Sequence, residues 1–257
     1  MRIPLRTVYN WLLTGMPFFT YNPITQNPFN VAFTIEPQST YINFKLNNDQ
    51  TEYLNNYIHK FDENLDIVPI NLLQNDNEKH NYLSVNIYNC SSPIFFNDEN
   101  VITRCEINTY IKDKNTNNYG TLILDYTSNS LSMDPVNIFK SKEKTDYLKN
   151  KYYSYVKCFS KRDKISLNFD FMRQLKLDTS LHDNLIEYSD FIYYKNGIYD
   201  KLFYDSTLTK AKINSPIIAN LYNFEYKDLK FDTFDSLFYF DNNIDFIGGM
   251  WNNLDKT

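Results

Sequence analysis

Along much of this chain apolar and polar residues alternate with a period of two, the pattern of strands that bury one face. The clearest run is Ile102 to Ile111. Cys105, Ile107, Thr109 and Ile111 fall on one face, and Arg104, Glu106, Asn108 and Tyr110 on the other. The polar stretch Lys112 to Asn118 reads as a turn, and Gly120 opens a return strand, Thr121 to Tyr126. Further strands are expected at Phe29 to Glu36, Thr40 to Leu46, Tyr82 to Tyr88, Tyr153 to Phe159, Lys164 to Phe169, Lys210 to Ile213 and Phe234 to Phe240. Phe191 to Tyr194 and Ile198 to Tyr204 flank Lys195-Asn196-Gly197, and Asn-Gly supplies the positive φ angles of a hairpin turn.

The helical period is rarer. It is strongest from Asp49 to Phe61, where Tyr53, Leu54, Tyr57, Ile58 and Phe61 recur at helical intervals and Asp49 with Glu52 has capping-box spacing. Residues 5 to 16 predict a short helix closed by Pro17, and Pro23 and Pro28 make the following segment extended. Residues 1 to 28 are thus a helix plus a connector. Lys142 to Tyr152 reads as a charged helix, and residues 170 to 185 as a helical or irregular excursion. The chain carries no internal repeat, low-complexity linker or boundary signal. The expectation is a single α+β, mainly β, domain over residues 1 to 257.

Composition sharpens this picture. The 22 Tyr and 20 Phe against 5 Gly favour a sheet with aromatic walls. A net charge of −5 argues against a nucleic-acid partner for the chain as a whole. Lys157, Lys161, Arg162 and Lys164, broken by Asp163, read as a solvated loop. No stretch approaches the ~18 apolar residues of a membrane span, and the start reads as mature structure rather than a leader. Cys90, Cys105 and Cys158 show neither disulfide nor zinc spacing, which fits a reducing compartment. The expected protein is soluble and cytoplasmic, with no membrane partner and with a homo-oligomer left open.

The phosphate, dinucleotide, serine-nucleophile and zinc-protease motifs are absent, and His59, His80 and His182 stand apart from carboxylates at ligand spacing. Neither a cofactor nor a metal is expected. What chemistry remains lies in the central stretch. Lys140 and Lys142 project to one side of an extended backbone. A lysine enclosed among apolar groups beside another cation loses the stability of its charged form and becomes an amine nucleophile. It can condense with a ketone, and the resulting iminium accepts electrons from a breaking bond. Arg104 is suited to hold a substrate carboxylate and Glu106 to move a proton. The competing reading makes Lys140-Ser141-Lys142 the start of an exposed helix. A further design needs no amine: Arg104, Glu106, Asn108 and Tyr110 on one face act as a proton relay.

The order of these pieces resembles the acetoacetate decarboxylase-like superfamily, with the closest local match to its uncharacterised branch. In that branch an N-x-R-T-Y-V strand precedes G-x-x-F-L-S-L-D. Here the corresponding pieces run from Glu106 to Ile111 and from Gly120 to Tyr126. The distal YYKNGIYDKLFYDSTLTKAKINSP also resembles that branch's late hairpin, so the likeness spans roughly residues 30 to 215. It implies a closed, cone-like antiparallel β-barrel with helices packed outside and a pocket within. In the decarboxylases a lysine pair follows a Gly-x-Pro segment, and its first lysine forms the Schiff base. The matching place is Val136 to Lys142, where Gly and Pro are absent and Ser141 separates the lysines. By resemblance Lys140 takes the amine role, Lys142 that of the neighbouring cation, and Glu106 that of the acidic group on the facing strand.

The catalytic candidates are Lys140, Glu106 and Arg104, with Asn108, Tyr110 and Lys142 as substrate-binding residues. The expected activity is that of a lyase or isomerase. It would decarboxylate, dehydrate or isomerise a small or medium keto acid, or a polyketide- or fatty-acid-like substrate. The alternatives are a non-catalytic barrel that binds an apolar ligand and a structural or interaction protein.

Overall fold

A computed structural model describes residues 30–72, 77–91, 102–129, 144–161, 163–173, 191–195, 198–202, 213–214, 216–240, 243–249 and 251–252. Strands β1 (Asn30–Ile35) and β2 (Thr40–Lys45) precede helix α1 (Asn48–His59) and the short β3 (Leu65–Ile67). The centre is built from β4 (Tyr82–Ser91), β5 (Ile102–Asp113) and β6 (Tyr119–Ser128). Then come β7 (Lys144–Lys149), β8 (Tyr153–Ser160) and β9 (Ile165–Met172), and the hairpin β10 (Phe191–Lys195) and β11 (Ile198–Leu202). The described chain ends with β12 (Ile213–Asn214), β13 (Ile218–Tyr226), β14 (Leu229–Phe231), β15 (Ser236–Phe240), β16 (Ile244–Gly249) and β17 (Trp251–Asn252).

Two sheets result, and nearly all their pairings are antiparallel. The larger runs β12-β15-β2-β4-β5-β6-β10-β11-β17, with β1 bound to β16 and β4, and β3 to β5. The pairing of β10 with β6 is parallel. The smaller sheet runs β14-β13-β9-β8-β7. The path of the larger sheet ends at β12 and β17, and α1 is the one helix among the described residues. The mainly β expectation is therefore met in coarse form, as two sheets and a helix. No described helix is long and apolar enough to cross a membrane.

Several local expectations hold and others do not. The hairpin around Asn196-Gly197 pairs Phe191 with Leu202 through Lys195 with Ile198. The helix after β2 forms, but Asn47 caps it, accepting from the Gln50 amide at 2.8 Å while the Gln50 side chain accepts from the Asn47 amide at 3.0 Å. The box thus starts two residues before Asp49, because a carboxamide pair serves as well as Asp and Glu. The helix expected over Lys142 to Tyr152 is strand β7 where it is described. Six residues of β7 pair with β8, and buried Thr145 and Tyr147 alternate with exposed Asp146 and Leu148. The Tyr147 hydroxyl meets Thr40 Oγ1 at 2.9 Å, so tertiary contacts override the local charge pattern. Strands β13 and β14 were not expected, and β9 continues into the anticipated excursion as far as Met172. The helix expected at residues 5 to 16 lies outside the described residues.

The main core lies between the two sheets. The apolar face of β5 (Cys105, Ile107, Ile111) joins Leu83, Val85 and Ile87 of β4 and Ile42 and Phe44 of β2. Against them stand Val156, Cys158, Leu167, Phe169, Phe171, Phe224 and Tyr226 of the smaller sheet, with Leu54 and Ile58 of α1. Each fully buried Leu, Ile or Phe contributes roughly 1.5–3 kcal/mol through lost water contact. All three cysteines are free and buried, and Cys105 packs as expected.

One irregularity controls which residues reach this core. Along β5 and β6 the register shifts between Ile107 and Asn108: Ile107 faces Asp125 and Asn108 faces Ile123, so Leu124 is the extra residue of a bulge. The bulge turns Asp125 toward the core side. There its carboxylate accepts from the Tyr226 hydroxyl at 2.8 Å and meets Lys227 Nζ at 2.8 Å. Lys227 also lies 4.2 Å over the Tyr57 ring of α1, so this buried pair ties the bulge, the β13–β14 turn and the helix together.

Breaking such a pair from one side leaves a buried charge uncompensated. Lys227→Met is expected to lower stability by about 3–5 kcal/mol in urea unfolding. Adding Asp125→Leu should restore most of that loss, because the double change removes both charges.

Candidate functional site

On the opposite side of the larger sheet, the second face of β5 is buried although it is polar. Arg104, Glu106, Asn108 and Tyr110 are 9%, 5%, 1% and 5% exposed. Had this face met water, its charges would need no explanation. Buried, each charge requires a partner from a neighbouring strand. The strand registers supply them. Tyr88 of β4 stands beside Arg104, Asn86 beside Glu106 and Ser84 beside Asn108. On the far side of β5, Tyr126 of β6 stands beside Glu106. On β2, Tyr41 pairs with Asn86 and Asn43 with Ser84, and Phe238 of β15 pairs with Tyr41.

The Arg104 side chain lies along its strand. Its Nε is 2.6 Å from Glu106 Oε1, a contact off the N–H direction and so more a charge contact than a directed hydrogen bond. The guanidinium stacks 4.2 Å over the Tyr126 ring. The Tyr88 hydroxyl donates to Glu106 Oε1 at 2.9 Å. Arginine, glutamate and two phenols form a compact ionic cluster with no net charge. Burial acts against the arginine charge, but the Tyr88 and Glu106 oxygens outweigh it and its pKa rises. Burial, with Glu106 adding to it against the opposing pull of Arg104, holds the Tyr88 phenol well above its ordinary value. Tyr88 is therefore a hydrogen-bond donor at every physiological pH.

Next to the ionic cluster the wall becomes aromatic and neutral. Tyr41 stacks on Phe238 at 5.3 Å between ring centres and meets Phe240 edge-on at 5.7 Å. Its hydroxyl accepts from Asn86 Nδ2 at 3.0 Å. Burial first, then Glu106 and Tyr110, raise its pKa. Tyr41 itself is half-buried. Asn43, Ser84 and Ser236 complete one another, Ser84 Oγ donating to Asn43 Oδ1 at 2.6 Å and Asn43 Nδ2 to Ser236 Oγ at 3.2 Å.

The structure thus brings Arg104, Glu106, Asn108 and Tyr110 onto one buried wall. Tyr110 sits at its apolar end, packed with Ile70, Leu72 and Tyr82, and burial pushes its phenol up to about 12. Lys140 and Lys142 lie outside the described residues. Tyr41, Asn86, Tyr88 and Tyr126 were not among the sequence-derived candidates. The shared alternation of Ser84, Asn86 and Tyr88 was a usable signal for two of them. Tyr126 had none, since only the bulge turns it to this side. Elsewhere, His59 is a partly buried histidine bonded to the Leu65 carbonyl at 3.1 Å and the Asp66 carboxylate at 2.9 Å. Among the described residues no three His, Cys, Asp or Glu side chains are gathered as metal ligands.

No family model matches this chain. No curated protein matches it either. Solved structures do. Acetoacetate decarboxylase from Legionella pneumophila superposes with a TM-score of 0.54 at 7% identity, over 87% of this chain and 89% of that one. An acetoacetate decarboxylase-like enzyme from Sphingomonas wittichii RW1 gives 0.51 at 6% identity, over 88% and 95%. The enduracididine biosynthesis enzyme MppR, in its complex with pyruvate, gives 0.50 at 5% identity, over 89% and 93%. The chain therefore has the acetoacetate decarboxylase-like fold.

The raised phenol pKa values have a measurable consequence. Tyr41 and Tyr88 keep their protons in the folded state beyond ~10, where unfolded tyrosines ionise. The stability they lend is complete below about pH 10 and falls as the pH rises past it, since the unfolded chain then binds fewer protons. In urea unfolding across alkaline pH, Tyr88→Phe should flatten that decline by up to about 1.4 kcal/mol per pH unit.

Proposed function

We propose that this protein is an enzyme that binds a small or medium organic acid in a hollow bounded by the Arg104–Glu106 wall. The reaction would be a decarboxylation, dehydration or isomerisation of a keto acid or a polyketide- or fatty-acid-like substrate. The observation that carries this reading is a charged cluster buried on the face of β5 turned away from the main core, within a fold whose solved members include decarboxylases. Sequestered ionic groups of this kind are costly to stability and concentrate where chemistry needs them. One of those structures is a complex with pyruvate, which is a keto acid.

The hollow is read as the inside of a closed barrel. Three pairings support closure. β16 pairs with β1, which also pairs with β4, while β17 pairs with β11. Only Met250 separates β16 from β17 in the sequence. Taken as one strand, they would complete a ring through β4, β5, β6, β10, β11 and β1. Such a ring encloses polar side chains away from bulk water, where their electrostatic interactions gain strength.

Within that hollow, Arg104 orients the substrate carboxylate and Glu106 exchanges a proton with the reacting carbon or oxygen. Lys140 is the proposed amine, with Lys142 as the neighbouring cation that lowers its pKa. The amine attacks the ketone and water leaves, forming an iminium. In decarboxylation of a β-keto acid the bond to the carboxylate carbon breaks and its electron pair moves into the iminium. The enamine then takes a proton, and water releases the product. Asn108 and Tyr110 complete the binding surface. Three free, buried cysteines fit a cytoplasmic location, which belongs to the same proposal. The second reading, a non-catalytic carrier of an apolar ligand, draws on the Tyr41–Phe238–Phe240 stack.

Incubation with pyruvate or acetoacetate followed by borohydride should add the reduced adduct mass to Lys140, and Lys140→Ala should abolish it. Glu106→Gln should lower turnover by ~10²–10⁴. Absence of an adduct on every lysine, with full activity in Lys140→Ala, would discard the amine mechanism.

A further inference from the structure

The wall just described contains polar atoms that the protein itself does not complete. Asn108 is 1% exposed, yet among the described residues neither its Oδ1 nor its Nδ2 has a hydrogen-bond partner. Asn86, 2% exposed, uses Nδ2 on Tyr41 and leaves Oδ1 unpaired. Exchanging O and N within either carboxamide changes nothing in kind. Asn108 still lacks both partners, and Asn86 still lacks one. An unpaired buried polar group costs roughly 1–3 kcal/mol, and folded proteins keep few of them. The neighbours make the contrast plain. Asn43, Ser84 and Ser236, on the same wall and one strand away, satisfy each other.

The two asparagines are close in register. Ser84 stands opposite Asn108 and Asn86 opposite Glu106, so Asn86 and Asn108 are diagonal neighbours on adjacent strands with side chains on one face. Beside them lies the flat surface of Tyr41 and Phe238. What the site lacks is therefore specific. Asn108 needs one acceptor and one donor side by side, and Asn86 needs a further donor. An ionised group cannot meet this demand. A carboxylate only accepts, and an ammonium only donates. A primary carboxamide supplies a carbonyl for Asn108 Nδ2 and two N–H donors for Asn108 Oδ1 and Asn86 Oδ1, and its plane fits beside an aromatic ring.

We infer that Asn108 and Asn86 form a subsite for a neutral, planar, amide-type group of the ligand. This deepens the functional reading above and rests on its premise that the polar face of β5 bounds the ligand space. Successive residues on one strand face are ~7 Å apart, so Asn108 lies roughly 7 Å from the Glu106 position and roughly 14 Å from that of Arg104, while Asn86 stands opposite Glu106. The ligand then carries its acid at one end and its amide-type group at the other. A site built to satisfy donors and acceptors discriminates strongly against an analogue that leaves them unpaired.

The test is equilibrium binding, by calorimetry, of the full-length protein with two probe series. One series pairs the monoamides of adipic and suberic acid with their monomethyl esters. The other, which has no carboxylate, pairs hexanamide with methyl hexanoate. Esters keep the carbonyl and lose the donors. The expected result is binding of the amides at least tenfold tighter than of the matched esters. Asn108→Leu should erase that preference without lowering the melting temperature, because it removes unpaired groups at nearly constant volume. Should that variant fail to fold, Asn86→Leu replaces it and must at least halve the free-energy preference. If the neutral amide is preferred while no acid binds, the subsite stands and the carboxylate reading of Arg104 falls. Equal binding of amide and ester overturns the inference, as does no binding of any probe, or a preference that survives Asn108→Leu.

Discussion

Strand β5 is buried on both faces, and only one of them is apolar. That constraint governs the rest of the structure. The apolar face is covered by the smaller sheet and α1, at the usual gain from lost water contact. The other face carries an arginine, a glutamate and an asparagine, whose desolvation opposes folding unless partners replace water. Arg104 and Glu106 offset each other's charge, Tyr88 donates to the carboxylate, and Tyr126 lies against the guanidinium. Any functional reading starts from this cost. A fold needs no such cluster to hold itself together, since apolar residues of similar volume serve as well or better.

The bulge at Leu124 makes the arrangement possible. Without the extra residue, strict alternation from Thr121 would carry Asp125 to the Arg104 side and Tyr126 to the core. Arg104 would then face two carboxylates and lose its aromatic support, while Lys227 would have no buried counter-charge. With the bulge, the two acidic residues are separated across the sheet. Each finds one cation and one phenol: Glu106 has Arg104 and Tyr88, and Asp125 has Lys227 and Tyr226. One backbone irregularity thus balances charge on two faces at once.

The abundance of tyrosine gains a physical meaning here. Phenol hydroxyls donate to carboxylates repeatedly. Tyr53 reaches Asp228 at 2.8 Å, Tyr82 reaches Asp235 at 3.3 Å, and Tyr153 and Tyr222 reach Asp170 at 2.8 and 2.7 Å. A tyrosine buries a large apolar ring and carries a donor at its tip, so it covers a sheet and neutralises an acid with one side chain. For a chain with more acidic than basic residues, this is an economical way to place carboxylates inside or beside a sheet.

The sequence by itself determined the strand-rich fold, the two faces of β5, the β10–β11 hairpin and the likeness to one decarboxylase-like architecture. Those properties are local. Alternation needs only neighbouring residues, and an Asn-Gly turn acts within its own hairpin. Tertiary structure alone decided that β7 is a strand, since its partner β8 outweighs the helical preference of its charges. It also decided that Tyr126 rather than Asp125 meets Arg104, because a bulge inverts alternation without any mark in composition. The incompleteness of Asn108 belongs to the same class. Whether a buried carboxamide is satisfied depends on which strands lie beside it, and strand order is set by contacts distant in the chain.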